Sequence, residues 1–258
     1  MPIPQLHQRR HYGHLPDYEP QSPIEKKKKI LKILLTTAAV GFGAFFILGT
    51  IAVAWISRDL PDPNKLNERQ VSQSTKIYDR TGEQLLYEVY QNQKRTLVEM
   101  DQISDFAKKA TVAVEDKNFY EHSGIRIQSI LRARFFSLIG RRAGSGGGST
   151  LTQQLIKNTI VGDARSGFAG YFRKIKEAIL AIRLEKKYTK EQILKLYLNE
   201  IPYGSTNYGI EAASQSYFGK KSEDLTLTEA SYLAALPQAP TYYSPFGNNK
   251  EKLEERKK

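Results

Sequence analysis

Asp101-Gln-Ile103-Ser-Asp-Phe106-Ala-Lys-Lys-Ala110-Thr-Val-Ala113-Val114-Glu115-Asp116-Lys-Asn-Phe119-Tyr-Glu-His122-Ser-Gly124 is the stretch on which the fold turns. Ile103, Phe106, Ala110, Ala113 and Val114 recur near a 3.6-residue period, which predicts an amphipathic helix with Asp101 as its N-cap and Glu115 at its end. The helix closes on a pair of acids. By themselves, Glu115 and Asp116 fit a solvated helix end as well as a catalytic carboxylate and its neighbour.

Toward the C-terminus the helical signals continue. Thr150-x-x-Gln153, Thr189-x-x-Gln192 and Thr226-x-x-Glu229 are capping boxes, in which a hydroxyl and an amide or carboxylate satisfy orphan N–H groups at a helix start. A helix is also expected from Ile127 to Ile139, followed by the glycine-rich run Gly140 to Gly148, read as a mobile loop over a site. Tyr171 to Lys186 is amphipathic, with Arg173, Lys174 and Glu177 on one face and Ile175, Ile179 and Ile182 on the opposite, buried one. Asn207 to Phe218 forms a further helix stopped by Gly219. The fold class is therefore mainly α.

Toward the N-terminus the pattern changes. Thr75 to Tyr78 and Gln84 to Val89 flank the turn Asp79-Arg-Thr-Gly82 and predict a β-hairpin, with Arg95 to Val98 as a third strand. Ile33 through Ser57 holds no charged residue, and about 25 residues rise roughly 37 Å as a helix, enough to cross a bilayer core. Lys26 to Lys29 and Lys32 precede this run, which by the positive-inside tendency leaves the N-terminus cytoplasmic. Ala52-Val-Ala54 also suits signal cleavage, but the length of the apolar run favours a retained anchor. The organisation expected is a disordered cytoplasmic tail over 1–32, a transmembrane helix over 33–57, a connector with the small β element over 58–100, a helical domain over 101–248 and a charged stretch over 249–258.

The chain has no cysteine, which excludes a disulfide framework, thiol chemistry and cysteine metal sites. Its formal charge is +12, yet zinc-finger, RRM and helix-turn-helix signatures are all missing, so anionic lipid or a phosphate-bearing substrate suits that charge better than nucleic acid.

Four blocks then occur in order: Glu115-Asp116-x-x-Phe119-x-x-His122-x-Gly124, Gly147-Gly-Ser149-Thr150-x-Thr152-Gln153-Gln154-x-x-Lys157-Asn158, Arg173-Lys174-x-x-Glu177 and Ile193-Leu-Lys-Leu-Tyr197-Leu198-Asn199. Together with Tyr208 to Lys220 and Leu236-Pro-Gln-Ala-Pro240, they closely resemble the peptidoglycan glycosyltransferase domain, family 51 type, of class A penicillin-binding proteins over residues 57–248. The resemblance implies a lysozyme-like helical domain that polymerises lipid II into β-1,4 glycan strands and releases undecaprenyl diphosphate in bacterial cell-wall synthesis.

It further implies that Glu115 is the catalytic base for the acceptor 4-OH, with Asp116 beside it tuning the pair. Lys157, Arg173 and Lys174, with Arg165 as a weaker candidate, are placed to meet the charge that grows on the leaving diphosphate. Glu177, the second catalytic glutamate of the resemblance, positions that diphosphate directly or through a divalent cation, Mg or Mn, and holds the basic residues. Phe119, Ser149, Thr150, Gln153, Gln154 and Asn158 complete the substrate-binding set, whereas His122 is read as structural. Lipid II, the nascent glycan, the bilayer and cell-wall synthesis complexes are the partners implied, with the catalytic domain on the outer face of the cytoplasmic membrane.

Ser-x-x-Lys and Lys-Thr-Gly of the transpeptidase set are missing, which leaves open a monofunctional enzyme or the first part of a bifunctional one. Two other function classes stay open: a lysozyme-like hydrolase or lytic transglycosylase, which gives no reason for the cationic Arg173-Lys174 face, and a non-catalytic lipid II scaffold.

Overall fold

The computed structural model describes residues 23–58, 73–90, 92–128, 148–162 and 167–257. The expected tail through residue 22, the connector over 59–72, the helix beyond residue 128, the glycine-rich run through residue 147 and Arg165 lie outside the described residues. The chain divides into two units, residues 1–55 and 56–258.

The described part of the first unit lies in a helix, α1, which runs Pro23–Arg58. It begins ten residues before the apolar run because Pro23 suits the first turn and the following lysines are good helix formers. Its apolar side chains, among them Phe42, Phe45, Phe46, Leu48 and Trp55, are exposed all round, and the helix is long and apolar enough to cross a membrane. Thr36 and Thr50 donate their hydroxyls back to the carbonyls of Lys32, Ile33 and Ile47, so neither brings an unsatisfied polar group to that apolar surface.

In the second unit β1 (Thr75–Tyr78) and β2 (Leu85–Val89) form the expected antiparallel hairpin. The expected third strand is β3, only Lys94–Arg95, and it does not join them. It pairs in parallel with β5 (Asn207–Tyr208), which in turn pairs antiparallel with β4 (Pro202–Gly204). Asn199 secures this junction, accepting from Val98 N–H at 2.9 Å and donating to Val98 C=O at 3.0 Å.

Helix α2 spans Asp105–Glu115, and its N-cap is Ser104, whose Oγ accepts from Phe106 N–H. Asp101 sits instead in a short 3-10 turn, Met100–Gln102, because Ile103 takes an extended conformation that separates turn from helix. The other helices are α3 (Leu151–Ile156), α4 (Gly167–Glu185), α5 (Lys190–Glu200), α6 (Ile210–Phe218), α7 (Leu227–Ala235) and α8 (Lys250–Lys257). All three predicted capping boxes are formed, at α3, α5 and α7, and α6 stops at Gly219 in the left-handed region. Asn207 and Tyr208, expected at the start of α6, are instead strand residues ahead of it.

Ile193, Leu194, Tyr197 and Leu198 of α5 are buried at the centre of the core, with Leu151, Leu155 and Ile156 from α3 and Leu180 and Leu184 from α4. Each such aliphatic side chain removed from water contributes about 1.5–3 kcal/mol. Ala107 and Ala110 on α2 and Ala230 and Ala234 on α7 are also buried, and their small size lets these two helices pack closely. Leu253 buries α8 against the same core, so the folded unit runs past residue 248, where the charged stretch was expected to begin.

Helix α4 reverses one expectation. Its buried face carries Glu177, Leu180, Ala181 and Leu184, whereas Ile175 is 40% exposed. The two cations Arg173 and Lys174 near Glu177 made that side of the helix look solvated in the sequence, but the carboxylate itself is fully buried.

Candidate active site

Glu115 is the last residue of α2, and its side chain is only 4% exposed. Its Oε2 accepts from Gln154 Nε2 of α3 at 2.7 Å, and its Oε1 accepts from Arg256 Nη2 of α8 at 2.6 Å. Tyr197 of α5 donates its hydroxyl to Gln154 Oε1 at 3.2 Å, which turns the amide so that its NH2 faces the carboxylate. The carboxylate is thereby held in one plane from two sides.

A cavity of about 570 Å3 is lined by Glu115, Gln154, Lys157, Asn158, Arg173 and Lys174, with Pro202, Pro240 and Tyr242 also in the wall. A larger hollow of about 800 Å3 is lined by Lys117, Glu121, His122 and Arg126. We assign the site to the smaller one because it gathers a buried carboxylate and three cations.

Local backbone explains the cation side. Helix α3 widens after Ile156 into a π-turn over Lys157–Val161, a distortion common at functional sites. Asn158 Nδ2 donates to Gln154 C=O at 2.9 Å and Thr159 Oγ1 to Leu155 C=O at 2.7 Å across this turn. Lys157 and Asn158 thus line the cavity beside Gln154. On α4, Glu177 accepts from Lys174 Nζ at 2.7 Å and pairs closely with Arg173 Nη1. It supports the cations from behind, and its own carboxylate does not line the cavity. Ser149 Oγ accepts from Lys174 Nζ at 2.9 Å, so Lys174 is held from both α4 and the start of α3.

Asp116 turns the other way. Its Oδ2 accepts from Leu151 N–H at 3.0 Å and bonds His122 Nε2 at 2.9 Å, while Arg126 Nε lies 3.5 Å from Oδ1. A carboxylate on the first N–H of α3 also meets the positive end of that helix. Asp116 therefore ties the end of α2 to the start of α3, and its partners are these groups rather than a second acid. His122 has the structural role expected of it, with Nδ1 accepting from Gly124 N–H at 3.2 Å.

Three more residues assigned to substrate in the sequence lie elsewhere. Phe119 is fully buried in the core, with the Lys190 ammonium 4.5 Å from its ring centre. Thr150 and Gln153 are both buried and are committed to the capping box of α3, Thr150 Oγ1 also donating to Gly124 C=O at 2.7 Å. The pattern that announces a helix start uses up the side chains that form it. Gly124 in turn has φ +90°, and an added Cβ would lie 2.8 Å from the Ala181 backbone, so only glycine lets α4 approach this closely.

Two tyrosines are fully buried in the core near Glu115. Tyr197 and Tyr203 phenols are both held above their ordinary value of about 10, first by burial and then by the negative charge of Glu115. Tyr203 hydroxyl is buried with no hydrogen-bond partner. Because the folded state raises these values, stability is intact below about pH 10 and declines above it, as unfolded phenols ionise first. Tyr203→Phe is expected to leave stability unchanged or raise it by up to about 1 kcal/mol and to soften that alkaline decline. Denaturant unfolding in detergent at about pH 8 and above pH 10 measures both effects, and a loss of more than about 1 kcal/mol at neutral pH would contradict the orphaned hydroxyl.

Arg256, Tyr203 and Tyr242 are absent from the sequence-derived site. Arg256 lies in the stretch read as a charged tail, and the available sign was Leu253 one helical turn earlier, an apolar residue in an otherwise charged run.

Residues 82–258 match the family model described as Transglycosylase. The chain is 42% identical over 232 residues to penicillin-binding protein 1A of Aquifex aeolicus, covering 89% of this chain and 30% of that protein. It is 39% identical over 209 residues to penicillin-binding protein 1A of Rickettsia bellii, covering 79% and 26%. It is 38% identical over 230 residues to penicillin-binding protein 1F of Bacillus subtilis, covering 88% and 30%. The chain thus spans under one third of the length of these relatives.

Proposed function

Because the chain belongs to the transglycosylase family, we propose that its cavity joins lipid II units into β-1,4 glycan, with undecaprenyl diphosphate as the leaving group. The observation that carries this reading is that one fixed carboxylate, Glu115, and the cations Lys157, Arg173 and Lys174 line a single cavity. A sugar hydroxyl is a poor nucleophile and a glycosyl diphosphate a charged leaving group, so the reaction needs a base on one side and positive charge on the other.

In this mechanism the acceptor 4-OH gives its proton to Glu115 as its oxygen attacks the donor anomeric carbon. The bond from that carbon to the diphosphate oxygen breaks, and its electron pair leaves with the diphosphate toward Lys157, Arg173 and Lys174. One in-line displacement inverts an α-linked donor to a β-linked product without a covalent enzyme intermediate. Glu177 acts through the cations, holding Arg173 and Lys174 in place.

A resident divalent cation does not suit the donor set. Among the described residues, no three His, Asp or Glu side chains are grouped so as to hold a metal ion, and Glu177 already faces Arg173 and Lys174. The charge of the diphosphate is met by side-chain cations, and no step is routed through a metal. Five lysines before the apolar run of α1 support an N-terminus in the cytoplasm and a catalytic unit on the outer face of the cytoplasmic membrane, where lipid-linked substrate is held beside it.

Purified protein in detergent is expected to convert lipid II to polymer. Release of soluble fragments from cell-wall sacculi without polymer formation would support a hydrolase instead, and binding of lipid II without turnover would support a scaffold.

A further inference from the structure

Glu115 is too deeply buried to be left with water as its sole stabilising partner, and the charge that compensates it comes from 141 residues away in sequence. Arg256 is held at three points. Its Nη2 meets Glu115, its Nε donates to Ala235 C=O at 3.1 Å, and its guanidinium carbon lies 5.4 Å from the Tyr243 ring centre. Ala235 is the last residue of α7, where carbonyls lack helical partners and the helix dipole is negative, so this carbonyl favours a cation. The side chain is 13% exposed and does not line the cavity.

These features distinguish Arg256 from a surface ion pair. A surface arginine is free to sample many rotamers, whereas this guanidinium has an aromatic face, a fixed carbonyl and a buried carboxylate around it. With Gln154 on the other oxygen, it determines the plane of the carboxylate and therefore where the remaining lone pairs of Glu115 point.

We propose that Arg256 is a positioning residue for the general base, aiming the Glu115 carboxylate at the acceptor hydroxyl without itself touching substrate. This rests on the glycan-polymerase reading. It predicts that removal of the guanidinium impairs turnover far more than binding, since misplacing a reacting group by about 1 Å is enough to cost ~100-fold.

The test compares the full chain in detergent, on lipid II, with Arg256→Ala and Arg256→Lys. Arg256→Ala is expected to lose ~100-fold in kcat, with KM within about threefold, and to recover about tenfold when guanidinium is added at millimolar concentration. A fall carried by KM alone, turnover within about threefold of wild type, or no recovery by guanidinium in a folded variant overturns the proposal. Should Arg256→Ala fail to fold, Arg256→Lys decides the matter. It keeps the stem and charge but lacks the fork that reaches Ala235 and Glu115 together, so kcat should fall about tenfold at unchanged KM, and wild-type turnover would overturn the assignment. Wild-type protein inactive on lipid II defeats the polymerase reading itself, and this assignment with it.

Discussion

Glu115→Gln is expected to reduce lipid II polymerisation by about 1,000-fold, the scale set by losing a positioned general base. The amide has too little basicity to take the acceptor proton. It also mismatches its surroundings, because Arg256 and Gln154 both donate to the native side chain and a glutamine offers an oxygen to only one of them. Lipid II binding should be much less affected, since the cations Lys157, Arg173 and Lys174 remain in the wall. Polymer yield measured against bound substrate separates the two effects, and near-normal yield from Glu115→Gln would remove this residue from the chemistry.

The second large effect is expected from Glu177→Ala. Its carboxylate is fully buried and receives Arg173 and Lys174 at once, so its loss takes the central anion from a three-residue cluster. Breaking a buried pair costs about 3–5 kcal/mol, and the lower end applies because the Lys174 side chain is 48% exposed and can turn to water. Turnover should fall by about 100-fold as well, because Arg173 and Lys174 lose the carboxylate that holds them in the cavity wall. Denaturant unfolding in detergent and kcat on lipid II read the two consequences independently. A variant that keeps its activity while losing stability would assign Glu177 to folding alone.

What was legible in the sequence follows the range of the interactions concerned. The capping boxes at Thr150, Thr189 and Thr226 involve residues three apart, and each formed as read. The β1–β2 hairpin is equally local. Its supposed third strand was a strand with the wrong partner, because Lys94 and Arg95 pair with Asn207 and Tyr208, and nothing near them in sequence announces a parallel neighbour.

The site shows the same division. Glu115, Gln154, Lys157, Asn158, Arg173 and Lys174 sit in recognisable blocks and converge on one cavity. Phe119, Thr150, Gln153 and Asp116 sit in the same blocks, yet their side chains are committed to the core or to joining elements. A motif marks a neighbourhood and leaves open which of its side chains face inward. Helix α4 is the sharpest case, since Glu177 lies on its buried side while Arg173 and Lys174 reach in from the helix edge to pair with its carboxylate.

The 141-residue separation of Glu115 and Arg256 also bears on how the chain is made. At a synthesis rate of about 5–20 residues per second, the carboxylate precedes its guanidinium by roughly 7–28 s. During that interval α1 is already made, so a nascent chain can be membrane-bound while its base is still unaimed. On the proposed glycan-polymerase reading, full turnover would therefore be reached only with the arrival of α8 rather than grow gradually with chain length.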